Sequence, residues 1–218
     1  MRAVFVDAAR LERWVAGFEQ RHPGVRAEVV SPQVGLAEQI ELSAPDGSSA
    51  VLFPAFGPVT KLGPKTTPAT AALALVADAQ RVQVLRALLV RRGGYACAVL
   101  TDDTVTASKV GSRYVQGRTA AGGQSQHRYA RRRDGQVQGL IESATEVAVR
   151  VLLPVSAWDG LVTGGDKALV DQVLADPRLQ SLGRLRRGPH LEIGDPKFDL
   201  VKELPRRGRA IRILLDER

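Results

Sequence analysis

The sequence predicts an α/β protein built on a mixed sheet with flanking helices, preceded by a small α+β unit. Three observations carry that expectation. Between Tyr95 and Val115 two β runs follow turn-forming residues in close succession, as in an antiparallel meander. From Val137 onward apolar residues keep helical spacing along one face. The last quarter then alternates strand-like and helix-like stretches, which favours a layered structure.

Asp7 is placed to cap a helix whose apolar residues Leu11, Trp14, Val15 and Phe18 share one face, and His22-Pro23-Gly24 ends it. Three short β runs follow, Val25 to Val30, Val34 to Leu42 and Ala50 to Pro54, separated by Ser-Pro and Pro-Asp-Gly turns. The stretch from Gly57 to Pro68 holds three prolines, two lysines and two glycines between apolar segments. That composition suits a linker, so a boundary is expected near Pro64, dividing residues 1–63 from 64–218. Nothing in residues 1–63 indicates what that unit binds.

Beyond the boundary an alanine-rich helix is expected over Thr70 to Ala79, while Val82 to Val90 reads equally as helix or strand. Arg91-Arg92-Gly93-Gly94 is a turn, Tyr95 to Leu100 a β run, Thr101-Asp102-Asp103 a second turn, and Thr104 to Val115 a longer β run. Val137, Leu140, Ile141, Ala144, Val147 and Val151 then mark the core face of a long helix, with Gly135 and Gly139 as candidate bends. The final alternation runs Gly160 to Thr163 (β), Lys167 to Leu174 (helix), His190 to Ile193 (β), Lys197 to Leu204 (helix) and Ala210 to Leu215 (β).

Composition narrows the function. The chain has 218 residues, 44% of them hydrophobic, enough for a full core, and a net charge of +8 that favours a polyanionic partner, nucleic acid first. Its one cysteine, Cys97, excludes an internal disulfide and suits a reducing, cytoplasmic setting. Lying between two alanines in a β run, Cys97 is expected to be a buried, inert thiol. No apolar run approaches a membrane span, and the first ten residues lack the apolar core of a signal peptide, so no membrane partner is expected. Three scattered histidines, His22, His127 and His190, give no metal-ligand spacing, and no cofactor motif is present. Gly164-Gly165-Asp166-Lys167 lacks the spacing of a phosphate loop and reads as a turn whose Asp166 caps the next helix.

The chemistry concentrates between Thr104 and Arg133. That segment holds no Asp or Glu, yet carries Lys109, Arg113, Arg118, Arg128, Arg131, Arg132 and Arg133. A solvated face normally mixes signs, so the segregation favours phosphate contacts over a merely basic surface. Within it, Gly117-Arg118-Thr119-Ala120-Ala121-Gly122-Gly123-Gln124 has no large apolar side chain to bury and is expected to protrude. Paired glycines admit the close approach of another molecule, with Gln124 at the tip. Alone the tripeptide is weak, since chance yields roughly 0.1 occurrences in such a composition. Its setting strengthens it: Ser125 is placed to cap a helix whose first turns carry His127, Arg128, Arg131, Arg132 and Arg133.

The order of β meander, basic loop, Gly-Gly-Gln-Ser and a helix opening with Arg-aromatic-Ala-Arg resembles the peptide-releasing middle domain of archaeal and eukaryotic class I release factors. It is more similar to the Vms-like release factor (VLRF) family in its actinobacterial branch, through Arg91-Arg92-Gly93-Gly94-Tyr95, Ala107-Ser108-Lys109-Val110-Gly111, Arg113-Tyr114-Val115-Gln116-Gly117-Arg118 and the loop itself. The specific motifs span Val82 to Leu152, and the order of elements extends to Leu215. The resemblance implies an RNase H-like fold, docking at the peptidyl transferase centre of the large ribosomal subunit, and cleavage of peptidyl-tRNA on stalled complexes; the expectation that this release is codon-independent comes from the lack of a codon-reading domain like that of termination factors. It has no counterpart here of a codon-reading domain, nor of the zinc-finger, ankyrin and coiled-coil parts of eukaryotic relatives.

Hydrolysis of peptidyl-tRNA is attack of water on an ester that the ribosome already holds, so a factor need only orient the water. Gln124 suits that task through its side-chain amide or its backbone N–H, Gly122 and Gly123 give access, and Lys109, Arg113, Arg118, Ser125, His127, Arg128 and Arg131 to Arg133 are the expected RNA contacts. Two other readings stay open: a nuclease acting near the tRNA 3′ end with His127 as base, and a non-catalytic RNA-binding module. Arg184, Arg186, Arg187, Arg206, Arg207 and Arg209 either extend the RNA-facing surface or are simply solvated.

Overall fold

A computed structural model describes residues 1–30, 38–57, 62–63, 66–113, 125–154 and 160–217, with the backbone alone described for 125–130. In chain order the elements are β1 (Arg2–Val6), α1 (Leu11–Arg21), β2 (Arg26–Val30), β3 (Gln39–Ser43), β4 (Ser49–Phe53), α2 (Pro68–Gln80), β5 (Val84–Arg91), β6 (Gly94–Thr101), β7 (Thr104–Ser112), α3 (Ser125–Leu152), β8 (Gly160–Gly165), α4 (Lys167–Leu174), β9 (Arg186–Leu191), α5 (Phe198–Arg207) and β10 (Ile211–Asp216). Short 3-10 helices precede α1 (Ala8–Arg10) and follow α4 (Pro177–Arg184). The result is a mixed α/β protein with two five-stranded sheets.

The chain divides into two compact units. The first comprises Met1–Gln83, Arg186–Pro189 and Arg206–Arg218, and the second comprises Val84–Leu185 and His190–Pro205. This division differs from the boundary expected near Pro64. Composition marks where the chain turns polar, whereas compactness depends on where α2 and the final strand find apolar partners.

In the first unit the strands run β1-β10-β4-β3-β2, antiparallel throughout. Alternate residues Ile40, Leu42, Ala50, Leu52, Ile211, Ile213 and Leu215 are buried, as are Leu11, Val15 and Phe18 of α1 and Ala71, Ala72, Leu75 and Ala79 of α2. Asp7 caps the 3-10 turn that leads into α1, accepting from the Ala9 N–H at 3.1 Å. Thr67 and Thr70 cap α2 reciprocally, with Pro68 in its first turn.

One correction concerns β10. The alternation of the last quarter places it in the C-terminal sheet, but it lies between β1 and β4 in the N-terminal one. Its burial alternates residue by residue, which suits a strand with one solvated face. The strand β1 itself is not foreseen, because its five residues are mostly exposed and give little periodicity.

The second unit has the strand order β7-β6-β5-β8-β9. The three strands β5, β6 and β7 form the expected antiparallel meander, and β8 pairs parallel to β5. A parallel return needs a crossover, and α3 supplies it. Val84, Leu88 and Val90 of β5 and Tyr95, Cys97 and Val99 of β6 form one core with Leu140, Ile141, Ala144, Val147, Ala148 and Leu152 of α3. The ambiguity of Val82 to Val90 resolves as a strand, fully buried but for its last residue, Arg91. Fully buried strands lose the alternation that would distinguish them from helix. Arg86, 3% exposed, donates from Nε to the Leu152 carbonyl at 3.0 Å and so closes the C-terminus of α3.

Asp166 caps α4, its Oδ1 accepting from the N–H groups of Ala168 (3.1 Å) and Leu169 (3.4 Å). Gly165 before it has φ +94°, and a Cβ there would meet the Val90 carbonyl. These glycines serve strand packing and a turn, as the missing phosphate-loop spacing implies.

Candidate functional site

The strand β7 lies at the edge of its sheet. Its register pairs Val99 with Ala107, Cys97 with Lys109 and Tyr95 with Gly111, so Lys109 and Gly111 share the face on which α3 packs. Lys109 is exposed on that face. Gly111 is required there, because the ring of Tyr95 lies across it and occupies the space a Cβ would take.

At the end of β7 the chain is pinned twice through Arg113. Its backbone N–H donates to the Gly93 carbonyl at 3.0 Å, and Gly93 turns β5 into β6 with φ +103°. Its Nε donates to Ser143 Oγ at 3.0 Å, and that hydroxyl donates to the Gly139 carbonyl at 2.8 Å. A Cβ at Gly139 would stand 3.3 Å from Arg113 Nη1. Gly139 therefore admits the guanidinium against α3, and the helix passes both Gly135 and Gly139 without interruption. A cleft of about 470 Å³ opens beside this root, between the Gly93-Gly94 turn, Ser112 and the segment from Pro196 to Phe198. Sequence reasoning did not single it out.

The helix α3 begins at Ser125, directly after Gln124. Its first buried side chain among the described residues is Leu140, about 22 Å along the axis by the usual helical rise. No residue from Arg131 to Gly139 is fully buried; Arg131 and Arg132 are exposed and Arg133 is half-buried. Among the described residues none of these three joins a carboxylate, and the first acid after them is Asp134. Exposed guanidinium groups without a carboxylate partner suit a polyanion.

Of the residues singled out from sequence, Gly122, Gly123, Gln124 and Arg118 lie outside the described residues, while Ser125, His127 and Arg128 fall in the first turns of α3, where the backbone alone is described. Lys109 lies on β7, Arg113 just after it and Arg131 to Arg133 on α3, the strand and helix that flank the tripeptide in the sequence. Arg184, Arg186, Arg187 and Arg206 are exposed. Arg209 is not a surface residue: it is 8% exposed and donates to the Val82 carbonyl at 2.7 Å.

The other titratable groups have structural roles. Burial pushes the Cys97 thiol up to about 12, which leaves it protonated and inert as its place between two alanines suggests. His190 Nε2 lies 3.1 Å from the Gly165 carbonyl and Nδ1 lies 2.9 Å from Thr163 Oγ1, tying β9 to β8. His22 is buried against Phe18, with Nδ1 2.7 Å from Asp46 Oδ2. Among the described residues no group of three such side chains could hold a metal ion, and no helix is long and apolar enough to cross a membrane.

The family described as Actinobacteria/chloroflexi VLRF1 release factor matches residues 83–214, more than half of the chain. A search of curated proteins returned no match. Among solved structures, the crystal structure of the archaeal translation termination factor aRF1 is similar at 12% identity and a TM-score of 0.39, over 73% of this chain and 44% of that one. The chain therefore spans less than half the length of that factor.

Proposed function

The chain belongs to the Actinobacteria/chloroflexi VLRF1 release-factor family, and on that premise we propose that it frees stalled nascent chains by hydrolysing their peptidyl-tRNA ester on the large ribosomal subunit, without reading a codon. Gln124 orients the attacking water and supplies a hydrogen bond to the developing oxyanion, and Gly122 and Gly123 let the tripeptide approach the ester. Lys109, Arg118, Ser125, His127, Arg128 and Arg131 to Arg133 hold ribosomal RNA or the tRNA acceptor end, while Arg113 fixes the root from which the tripeptide springs.

The observation that carries this reading is where α3 begins and what its first half carries. Gln124 immediately precedes a helix that bears Arg131, Arg132 and Arg133 in its first half, none of them fully buried and none with a carboxylate partner among the described residues. A reactive residue that must enter an RNA-walled cavity needs a rigid support beside it, charged to match the walls. The strand order β7-β6-β5-β8-β9, with β8 parallel to β5, supports reading the second unit as RNase H-like. A setting in the cytoplasm follows from the substrate.

The test is release of labelled peptide from purified stalled large-subunit complexes that lack a stop codon. The intact chain is expected to release peptide. Gln124→Ala is expected to slow release by about 10²–10³-fold, the usual loss for one oxyanion-directed donor, while still sedimenting with the subunit. Unchanged release by Gln124→Ala would sink the catalytic role of the Gln124 side chain. Sequencing the freed tRNA separates ester from phosphodiester chemistry, since a shortened CCA end would make the protein a nuclease.

A further inference from the structure

The family match begins at residue 83 and leaves most of the first unit without an assigned role. That unit has a cleft of its own, about 380 Å³, where β1 meets α1. Phe5, Arg10, Arg13, Trp14, Gly17 and Arg21 line it. On α1 the residues separate by charge. Arg13, Gly17 and Arg21 repeat every four residues and face the cleft, Leu11, Val15 and Phe18 face the core, and Glu12 and Glu19, seven apart, fall on a third side. A helix that sorts its charges this way presents one sign to a partner, not a mixed solvated face.

The guanidinium groups are also available. Arg10 and Arg13 are exposed and, among the described residues, neither meets a carboxylate. Arg21 shares Glu217 at 3.1 Å, and one acid, Asp7, which also accepts from the Ala9 N–H, lines the cleft beside three arginines, Arg10, Arg13 and Arg21. Gly17 puts no side chain between Arg13 and Arg21 in this row; a Cβ there would stand 3.6 Å from Arg21 Nη1. Phe5, half exposed at 50%, stands at the cleft from the edge strand β1, and Trp14 is half-buried, stacked 5.7 Å from Phe18 at 7°. Paired arginines beside an open aromatic ring are the elements with which proteins hold an unpaired nucleotide, charge on phosphate and ring on base.

We propose that this cleft is a second RNA-binding site, taking the phosphodiester backbone of an unpaired RNA segment on Arg10 and Arg13 with a base against Phe5. The site belongs to the first unit and does not depend on peptide release. A strand edge flanked by arginines also suits an acidic peptide. RNA is the better occupant because the ring adds affinity for a base and the net charge of +8 already directs the chain to polyanions.

The experiment uses the full chain with a fluorescein-labelled twelve-nucleotide single-stranded RNA and its duplex, read by anisotropy across a salt series. Arg10→Ala/Arg13→Ala is expected to weaken single-strand binding about ten-fold and to reduce the slope of log K against log salt by about 1.4, the loss of two single-strand phosphate contacts. Phe5→Ala is expected to weaken the single strand and leave the duplex unchanged, because only an unpaired base can stack. Thermal unfolding of these exposed-site variants should match the parent. Unchanged affinity and slope in the double variant overturn the proposal, as does loss of binding to an oligoglutamate peptide with RNA binding intact. Gln124→Ala should bind this RNA as the parent does. A chain that binds through the cleft but releases no peptide would overturn the proposed hydrolysis and leave this site standing.

Discussion

Arg113 Nε lies 3.0 Å from Ser143 Oγ, so the last described residue before the tripeptide is tied to the helix that follows it, some way beyond that helix's start. Removing the tie frees the root while most of the core stays intact. Arg113→Ala is expected to lower stability by only about 1 kcal/mol, the usual net value of such a bond, yet to slow single-turnover peptide release by more than that loss explains. Arg113→Lys should behave as alanine does, since an ammonium lacks the Nε that reaches Ser143. Release rates beside thermal unfolding check this, and wild-type release by Arg113→Ala would remove Arg113 from the positioning of the loop.

Gly111 and Tyr95 occupy one volume between β6 and β7. Gly111→Ala pushes the ring out of a core in which Tyr95 is 8% exposed, and about 1–3 kcal/mol of destabilisation is expected from such overpacking. In Gly111→Ala/Tyr95→Ala the costs should fall well short of additive, because the second change vacates the space the first needs. Urea unfolding of the three variants measures the coupling.

Arg86 is a buried cation bonded to the end of α3. Arg86→Met retains much of the apolar stem but strands the Leu152 carbonyl, and a loss of about 1.5–3 kcal/mol in denaturant midpoint experiments is expected from a charge-assisted bond of this kind. Hydrogen exchange should report the largest change in the last turns of α3. A uniform change across both units would mean the bond does not act on the helix end.

The carboxyl of Asp46 is held below its ordinary value of 3.8 chiefly by its hydrogen bond to His22, then by the Ser48 N–H. A folded-state value below the unfolded one means the contribution is fully present above 3.8 and lost as pH falls through the folded value. Asp46→Asn is therefore expected to melt below the parent at neutral pH, and the difference should narrow as pH drops beneath 3.8. Melting curves between pH 2.5 and pH 7 decide it, and a gap independent of pH would detach Asp46 from acid sensitivity.

Much of the second unit was legible in the sequence because its signals are local. The two turns around Tyr95 to Leu100, the apolar stripe of α3 and the Asp166 cap are each decided within a few residues, and each is found. The position of β10 is decided by partners far away in the chain, Phe5 and Phe53 flanking Arg212 in register, and no local pattern encodes that. The guanidinium of Arg212 stands 4.0 Å from the Phe53 ring centre, a contact visible only once the strands are paired. The surroundings of the tripeptide were read from charge and glycine content, whereas the role of Gly139 as a seat for Arg113 needed the fold. The tripeptide itself lies outside the described residues, and its chemistry rests on the resemblance and on the test above.

The placement of β10 also sets a schedule. Its neighbours β1 and β4 leave the ribosome long before it, with the whole second sheet made in between, and until residue 211 is added each must wait with an unsatisfied edge. The first unit, with its arginine cleft, is therefore a product of late closure, and folding of the newly made chain should be limited by that long-range strand insertion and not by helix or hairpin formation. A protein proposed to rescue unfinished chains has to finish its own before its first sheet can close.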